Sequence, residues 1–312
     1  MKVDISIIMP AYNAERYIGQ AIDSILQQKF SGSYELLIAD DMSSDGTPEV
    51  IKKYQKLFPT IVKPTFRFEN LGCSGNSLSL ALTANGQYLA FCDTDDIWVD
   101  VHKLQKQYDF LEKNPDYGMV CTHANIIDEN GDIIDTTKSI YANDSEEECI
   151  DLDKVSVMKS HCDVFNSSVM IRRDLYLKMK GECAWYVENN CFIDSVWAYY
   201  CTSHSKVKLF LQPMILYRLL SNSDSHTDNY DKLYFLSKRA TLIRQSFLSS
   251  DIYTLNERLD IISSEFDYVF QIGLREGNNR AKQTITYKFG KLILSPIIIL
   301  RKLFHLRNGR IH

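Results

Sequence analysis

The chain has 312 residues, enough for one large or two small domains around a substantial buried core. With 45% hydrophobic and 24% charged residues it has a soluble globular balance, and its net charge of −5 excludes the basic footprint of a nucleic-acid binder. Its eight cysteines stand singly at 73, 92, 121, 149, 162, 183, 191 and 201, without CxxC spacing, which argues against a zinc ribbon or a thioredoxin-type site.

The opening MKVDISIIMPAYN is a buried-strand pattern and not a signal peptide, so a cytoplasmic protein with reduced thiols is expected. Val3 to Met9 reads as a strand buried on both faces and stopped at Pro10. Glu15 to Gln28 places Tyr17, Ile18, Ala21, Ile22, Ile25 and Leu26 on one helical face. Tyr34 to Ala39 is a second strand running into Asp40-Asp41, and Ser43 to Pro48 supplies cap and turn chemistry for a helix to about Leu57. A third strand is expected at Lys63–Phe68, a helix at Gly75–Asn85 closed by Gly86, and a fourth strand at Tyr88–Cys92. Further on come a helix at Lys103–Lys113, a strand near Met119–Ile127, an acid-rich loop at Asp144–Asp153 and a strand at Val164–Ile171. An aromatic-rich helix at Phe192–Cys201 and closing strands at Lys206–Leu211 and Met214–Leu220 follow, and Asp231 to about Gly273 turns helical.

Strands and helices alternating at this spacing predict an α/β fold, a Rossmann-like, mainly parallel central sheet wrapped by helices. Ligands of such sheets bind at the carboxyl ends of the strands. The chemistry-bearing residues fall at those ends. Asp93-Thr94-Asp95-Asp96 follows the fourth strand: three carboxylates in four residues repel one another and call for a cation, and hard oxygen ligands select Mg2+ or Mn2+. The plainer alternative is an acidic turn in which Asp96 caps the next helix. Pro10-Ala11-Tyr12-Asn13 ends the first strand, Asp41 the second, and Glu69-Asn70-Leu71-Gly72 follows the third, with Asn76 in the next helix.

Taken together, ISIIMPAYNAERYIGQAIDSILQQ, ELLIADDMSSDGT, ENLGCSGN, YLAFCDTDDIW, FIDSVW and LYRLLSNSDS resemble family 2 of the nucleotide-sugar glycosyltransferases, inverting enzymes of the GT-A fold. The resemblance covers about Ile5 to Asp224. It implies a donor site of Pro10, Ala11, Tyr12, Asn13, Asp41, Asn70, Gly72, Asn76, Asp93, Thr94, Asp95 and Arg218, with Ala11 and Tyr12 lining the nucleobase pocket and Asp41 accepting from the base. It also implies a DxD pair, Asp93 near the ribose and Asp95 on the metal, with His226 as a further metal or phosphate ligand. Inverting transfer needs a carboxylate to take the acceptor's proton; the position implied is Asp194, although Ile193 stands where the family usually writes Glu, and a helix N-cap is its bland alternative. Asp163 and Glu188 are fallbacks. Trp98, Trp185, Tyr186 and Trp197 are candidates for stacking on acceptor sugars or, as aromatic residues beside helices usually are, for the core. Arg218 is expected to face the diphosphate or, alternatively, to serve as a salt-bridge partner.

The expected organisation is a catalytic domain at 1–228, its donor half at 1–100 and acceptor half at 101–228, then a helical extension at 229–312. No acid follows Glu276, whereas eight Lys and Arg do, and the apolar run Leu292–Leu300 is interrupted by Ser295-Pro296. As a helix that run would reach only about 14 Å, too short to span a bilayer, but suited to an anionic inner leaflet or to a partner subunit in a homodimer. The expected activity is transfer from a nucleotide-diphosphate sugar, UDP-sugar favoured, to a hydroxyl of a glycan or lipid-linked saccharide in surface-polysaccharide assembly. The competing readings are a non-catalytic binding protein on the same fold and a sugar nucleotidyltransferase, against which the absence of a Gly-rich loop after the first strand counts.

Overall fold

The computed structural model describes residues 2–136, 148–159, 164–183, 193–220, 246–248 and 252–262. The chain divides into two compact units, Met1–Ile252 and Tyr253–His312. In the second, residues 255–262 are helical, and Thr254 and Glu257 cap that helix reciprocally: Thr254 N donates to Glu257 Oε2 (2.6 Å) and Glu257 N to Thr254 Oγ1 (3.2 Å).

In the first unit the elements are β1 (Ile5–Ala11), α1 (Ile18–Leu26), β2 (Tyr34–Asp40), α2 (Thr47–Leu57), β3 (Val62–Phe66), α3 (Gly72–Thr83), β4 (Tyr88–Phe91), β5 (Ile97–Trp98), α4 (Lys103–Lys113), β6 (Tyr117–Ile127), β7 (Ile133–Thr136), β8 (Cys149–Asp151), α5 (Lys154–Lys159), β9 (Met170–Arg172) and α6 (Arg173–Glu182). The helix α7 (Ile193–His204) and the strand β10 (Lys206–Arg218) follow. Among the described residues one sheet runs β3-β2-β1-β4-β9-β6-β10-β5, with β7 beside β6 and β8 beside β10. Strands β1 to β4 are mutually parallel. The short β9 is antiparallel to both β4 and β6, so β6 regains the direction of β4, and β10 runs parallel to β6. The carboxyl ends of β1, β2, β4, β6 and β10 therefore share one edge.

The core follows from the pattern. Ile5, Ile7 and Met9 point to the face that receives Ile18, Ala21, Ile22 and Ile25 of α1, all fully buried. Pro10 is tolerated in a central strand because β4 pairs β1 only as far as Ile8, with Cys92 N reaching Ile8 O. From there β1 and β4 part, at the point where the strand order reverses. Gly86 is required by a close approach: a Cβ there would lie 2.4 Å from Ser6 N and 2.8 Å from Ile5 C. It does not cap the preceding helix, which ends at the extended Ala84.

Several expected elements differ. The Val164–Ile171 strand is a 3-10 turn at Asn166–Ser168 followed by β9, because the Asn-Ser-Ser triplet bonds to the acidic turn instead of to a ladder. The two closing strands are one, β10, with register shifts around Pro213. Its pairing with β5 puts a strand, not a helix, directly after the acidic tetrad. Helix α6 and the short β8 and α5 carry too weak a periodicity to be read from sequence; the latter two lie around the end of the expected acidic loop.

Candidate active site

The acidic turn closes on itself through Asp96 N to Asp93 O (3.3 Å). Asp93, Thr94 and Asp95 are partly exposed, whereas Asp96 is buried beneath them. Asp96 Oδ2 accepts from Ser167 Oγ (2.5 Å) and Oδ1 from the Arg218 backbone N–H (3.0 Å). It is not a helix N-cap but the internal strut of the turn. Burial drives the Asp96 carboxyl well above its usual range, and its neighbours Asp95 and Asp93 push it further the same way. Burial also raises Asp95, opposed by its own backbone hydrogen bond and by the nearby Arg218 charge. Asn166 and Ser167, which the sequence reading missed, hold Asp93: Asn166 Nδ2 donates to Asp93 Oδ1 (2.6 Å) and Asp93 N to Ser167 Oγ (2.9 Å). Their signal was a polar triplet inside an apolar run, which a strand buried on both faces does not carry.

The β1 and β2 ends are laced together. Asn13, at φ 47°, donates its N–H to Ser43 Oγ (2.9 Å), and its Oδ1 accepts from Ser44 N (2.9 Å). Ala14 N reaches Thr47 Oγ1 (2.7 Å), and Glu15 and Asp45 bond across the same gap. Ala11 is buried and Tyr12 is 55% exposed at the mouth. Asp41 is buried, its two carboxylate oxygens accepting from Leu71 N and Gly72 N (2.9 Å each), while Asn70 Nδ2 donates to Asp41 O (3.0 Å). Gly72, at φ 72°, allows the chain to turn back toward that carboxylate. Asp41 thus latches the 70–72 loop beside the β1 end.

Four of the candidate site residues are engaged within the chain itself. Asn76 is buried, and its amide is used within the chain: its Oδ1 accepts from Arg67 Nε (2.8 Å) and its Nδ2 donates to Ala39 O (2.8 Å), tying α3 to β2. Arg218 is buried and does not present a cation to the cleft. Its Nε donates to Asp95 O, Nη1 to Asp128 O and Glu129 O, and Nη2 to Gln20 Oε1. Trp98, 3% exposed, donates its indole N–H to Ser167 O (2.9 Å), and Trp197, fully buried, packs on Phe91 at 4.0 Å; neither is open to an acceptor. Of the two cysteines near the site, Cys92 is buried and Cys73 is exposed. Asp194 is the second residue of α7, its side chain outside the described residues. Trp185, Tyr186, His226, Asp163, Glu188 and the tail 287–312 also lie outside them.

A hard divalent cation fits the turn in one specific way. Among the described residues no three ligating side chains gather, so these residues offer a cation Asp95 and Asp93 at most. That is the arrangement of Mg2+ or Mn2+ held by one or two carboxylates, with phosphates and water completing the shell. Like charges crowded at Asp93, Asp95 and Asp96 are what such an ion would relieve.

A mixed α/β sheet with paired acids at the reversal of strand order has the architecture of the GT-A fold. It matches residues 1–349 of TarS from S. aureus, solved with UDP-GlcNAc (TM-score 0.55, 15% identity, 86% of this chain and 81% of that one). It also matches the mannosyltransferase PcManGT of Pyrobaculum calidifontis, solved with GDP-Man and Mn2+ (TM-score 0.52, 12% identity, 95% and 87%). The model of glycosyl transferase family 2 matches residues 6–176, and the chain belongs to that family. Among its relatives is WfgD of Escherichia coli, a UDP-Glc:alpha-D-GlcNAc-diphosphoundecaprenol beta-1,3-glucosyltransferase. The two are 36% identical over 110 residues, 35% of this chain and 42% of that protein. The curated relatives are spanned only in part, from 36% to 64% of their lengths. Among the described residues no helix is long and apolar enough to cross a membrane.

Proposed function

We propose that this protein is an inverting glycosyltransferase that moves a sugar from a UDP-sugar to a hydroxyl of a glycan or lipid-linked saccharide in surface-polysaccharide assembly. The observation that carries the reading is the partly exposed Asp93–Asp95 pair at the edge where β1 and β4 part, beside the loop that Asp41 latches. The likeness to TarS, solved with UDP-GlcNAc, and to WfgD, whose name specifies UDP-Glc, supports the choice of nucleotide. In this reading Ala11, Tyr12 and the 70–72 loop enclose the base. Asp41 retains lone pairs for it beyond those given to Leu71 and Gly72. Asp93 and Asp95 would hold Mg2+ or Mn2+, which when bound stabilises the departing diphosphate.

Asp194 is the general base of the proposal. Trp197, one turn further along α7, packs on Phe91, two residues before Asp93, which favours the start of α7 as a wall of the site. His226 as a further ligand, Trp185 and Tyr186 as acceptor contacts, and the basic tail as a contact with the inner membrane leaflet or a second subunit complete the proposal. Thermal shifts with UDP, with and without Mn2+, test it on wild type and Asp95→Ala. A metal-dependent rise lost in the variant supports the site; no rise in well-folded wild type refutes it. Asp194→Asn that binds UDP as wild type does but transfers no sugar would identify the base. If instead wild type binds UDP and Mn2+ yet turns over no UDP-sugar with any acceptor, the non-catalytic reading replaces this one.

A further inference from the structure

We infer that Arg218 is a positioning residue that holds the Asp95 main chain in the geometry its carboxylate needs to take up a divalent cation, an inference that rests on the proposed donor-site reading. Arg218 ties together segments remote in sequence. Its own N–H binds Asp96 Oδ1 (3.0 Å) and its Nε binds Asp95 O (2.9 Å). Nη1 reaches the Asp128 and Glu129 carbonyls (3.1 and 3.3 Å), and Nη2 reaches Gln20 Oε1 (3.0 Å). The guanidinium also lies 4.6 Å from the centre of the Tyr17 ring. The acidic turn is thereby anchored to α1, through Gln20 beside Tyr17, and to the turn that follows β6.

Those anchors are themselves fixed. Asp128 Oδ1 accepts the N–H groups of Asn130, Gly131 and Asp132 at 2.8, 2.9 and 3.0 Å, which makes the β6–β7 turn rigid. Arg16, from the segment just after the Tyr12-Asn13 loop, meets Glu129 through an ion pair (3.5 Å) and a hydrogen bond to its carbonyl (3.4 Å). The Asp95 peptide is thus pinned on its carbonyl side to a frame that also carries the β1 loop. Pinning that carbonyl limits rotation about the Asp95 backbone and so the direction of its Cβ. Four of the five guanidinium N–H groups are used, in directions only a planar fork supplies. A lysine ammonium at the same place cannot reach Asp95 O, the β6–β7 turn and Gln20 together.

Charge and geometry predict opposite results, which makes the inference testable. A buried cation near Asp95 repels a metal ion, so if charge alone mattered, neutralising Arg218 would tighten metal binding. If positioning dominates, both Arg218→Gln and Arg218→Lys weaken it. Mn2+ uptake is read by electron paramagnetic resonance of the free ion at saturating UDP. Wild type is compared with both variants and with Leu111→Ala, a core truncation in α4 away from the turn.

We expect both Arg218 variants to bind Mn2+ about 10- to 100-fold more weakly, the usual loss when a group orienting a metal ligand is removed. Leu111→Ala should melt lower yet keep wild-type Mn2+ affinity. Arg218→Lys or Arg218→Gln binding as tightly as wild type, or Leu111→Ala losing affinity equally, overturns the inference alone. Wild type that takes up no Mn2+ with UDP overturns the donor-site reading and this inference with it. Should the Arg218 variants not fold, Gln20→Met removes one arm of the frame and is expected to lose about fivefold, the worth of one hydrogen bond; unchanged affinity there counts against positioning.

Discussion

Lys103 carries an amine into a site with no solvent exposure, where Nζ donates to Gln107 Oε1 (2.9 Å) and lies 3.9 Å from the centre of the Trp98 ring. Burial pushes its pKa down from 10.5 to about 7, with Cys92, Cys121 and Asp100 opposing weakly. Between those values the unfolded chain holds a proton that the folded chain has released, so stability rises with pH across that window. The penalty is fully present below pH 7 and is relieved as pH climbs toward 10.5. The gap between the two pKa values sets a ceiling of about 5 kcal/mol on it. From pH 7 to pH 9, about 2 kcal/mol of that should be recovered.

Lys103→Met fills similar volume without the charge. It strands Gln107 Oε1, a cost of about 1–3 kcal/mol that is the same at both pH values and leaves the slope untouched. Urea unfolding of wild type and variant at pH 7 and pH 9 is the assay. Relative to the variant, wild type should gain about 2 kcal/mol on going to pH 9. Parallel pH dependence in the two proteins would mean that Lys103 keeps an ordinary pKa, and the reasoning from burial would fail.

Gly86→Ala places a methyl against the Ser6 and Ile5 main chain, and denaturant unfolding should show a loss of about 3 kcal/mol or more, since backbone atoms cannot swing aside. An effect below about 0.5 kcal/mol would show that β1 and the α3–β4 connection separate easily. Trp98→Phe forfeits the bond to Ser167 O and should cost about 1–2 kcal/mol more than Trp197→Phe, whose buried indole N–H has no partner to lose. In an activity assay both should leave the acceptor KM within about twofold once folding is accounted for, as neither ring is open to solvent; a large KM change with unaltered stability would return them to the acceptor site.

Local sequence determined most of the donor half. The run Ile5–Met9 is almost wholly apolar, is buried on both faces and had to be a central strand. The stripe Ile18, Ala21, Ile22, Ile25 had to lie on it, and the acids Asp41 and Asp93 to Asp96 had to fall at strand ends, because period and punctuation are properties of neighbouring residues. The carboxyl-edge location of the candidate site was therefore legible before any coordinates.

What each side chain does at that edge was decided only by tertiary structure. Asp96 became an internal strut because Ser167, 71 positions away, and Arg218, 122 positions away, converge on it. Asn76 and Arg218 carry the residue types of ligand-binding groups, yet their polar atoms are consumed by Arg67 and Ala39 in one case and by Asp95, Asp128, Glu129 and Gln20 in the other. Trp98 and Trp197 look like platforms for sugars in sequence and are core in space. A strand-end polar group can satisfy its hydrogen bonds with a ligand or with a remote part of its own chain. Which of the two occurs depends on contacts of long sequence separation, which hydrophobic periodicity does not encode.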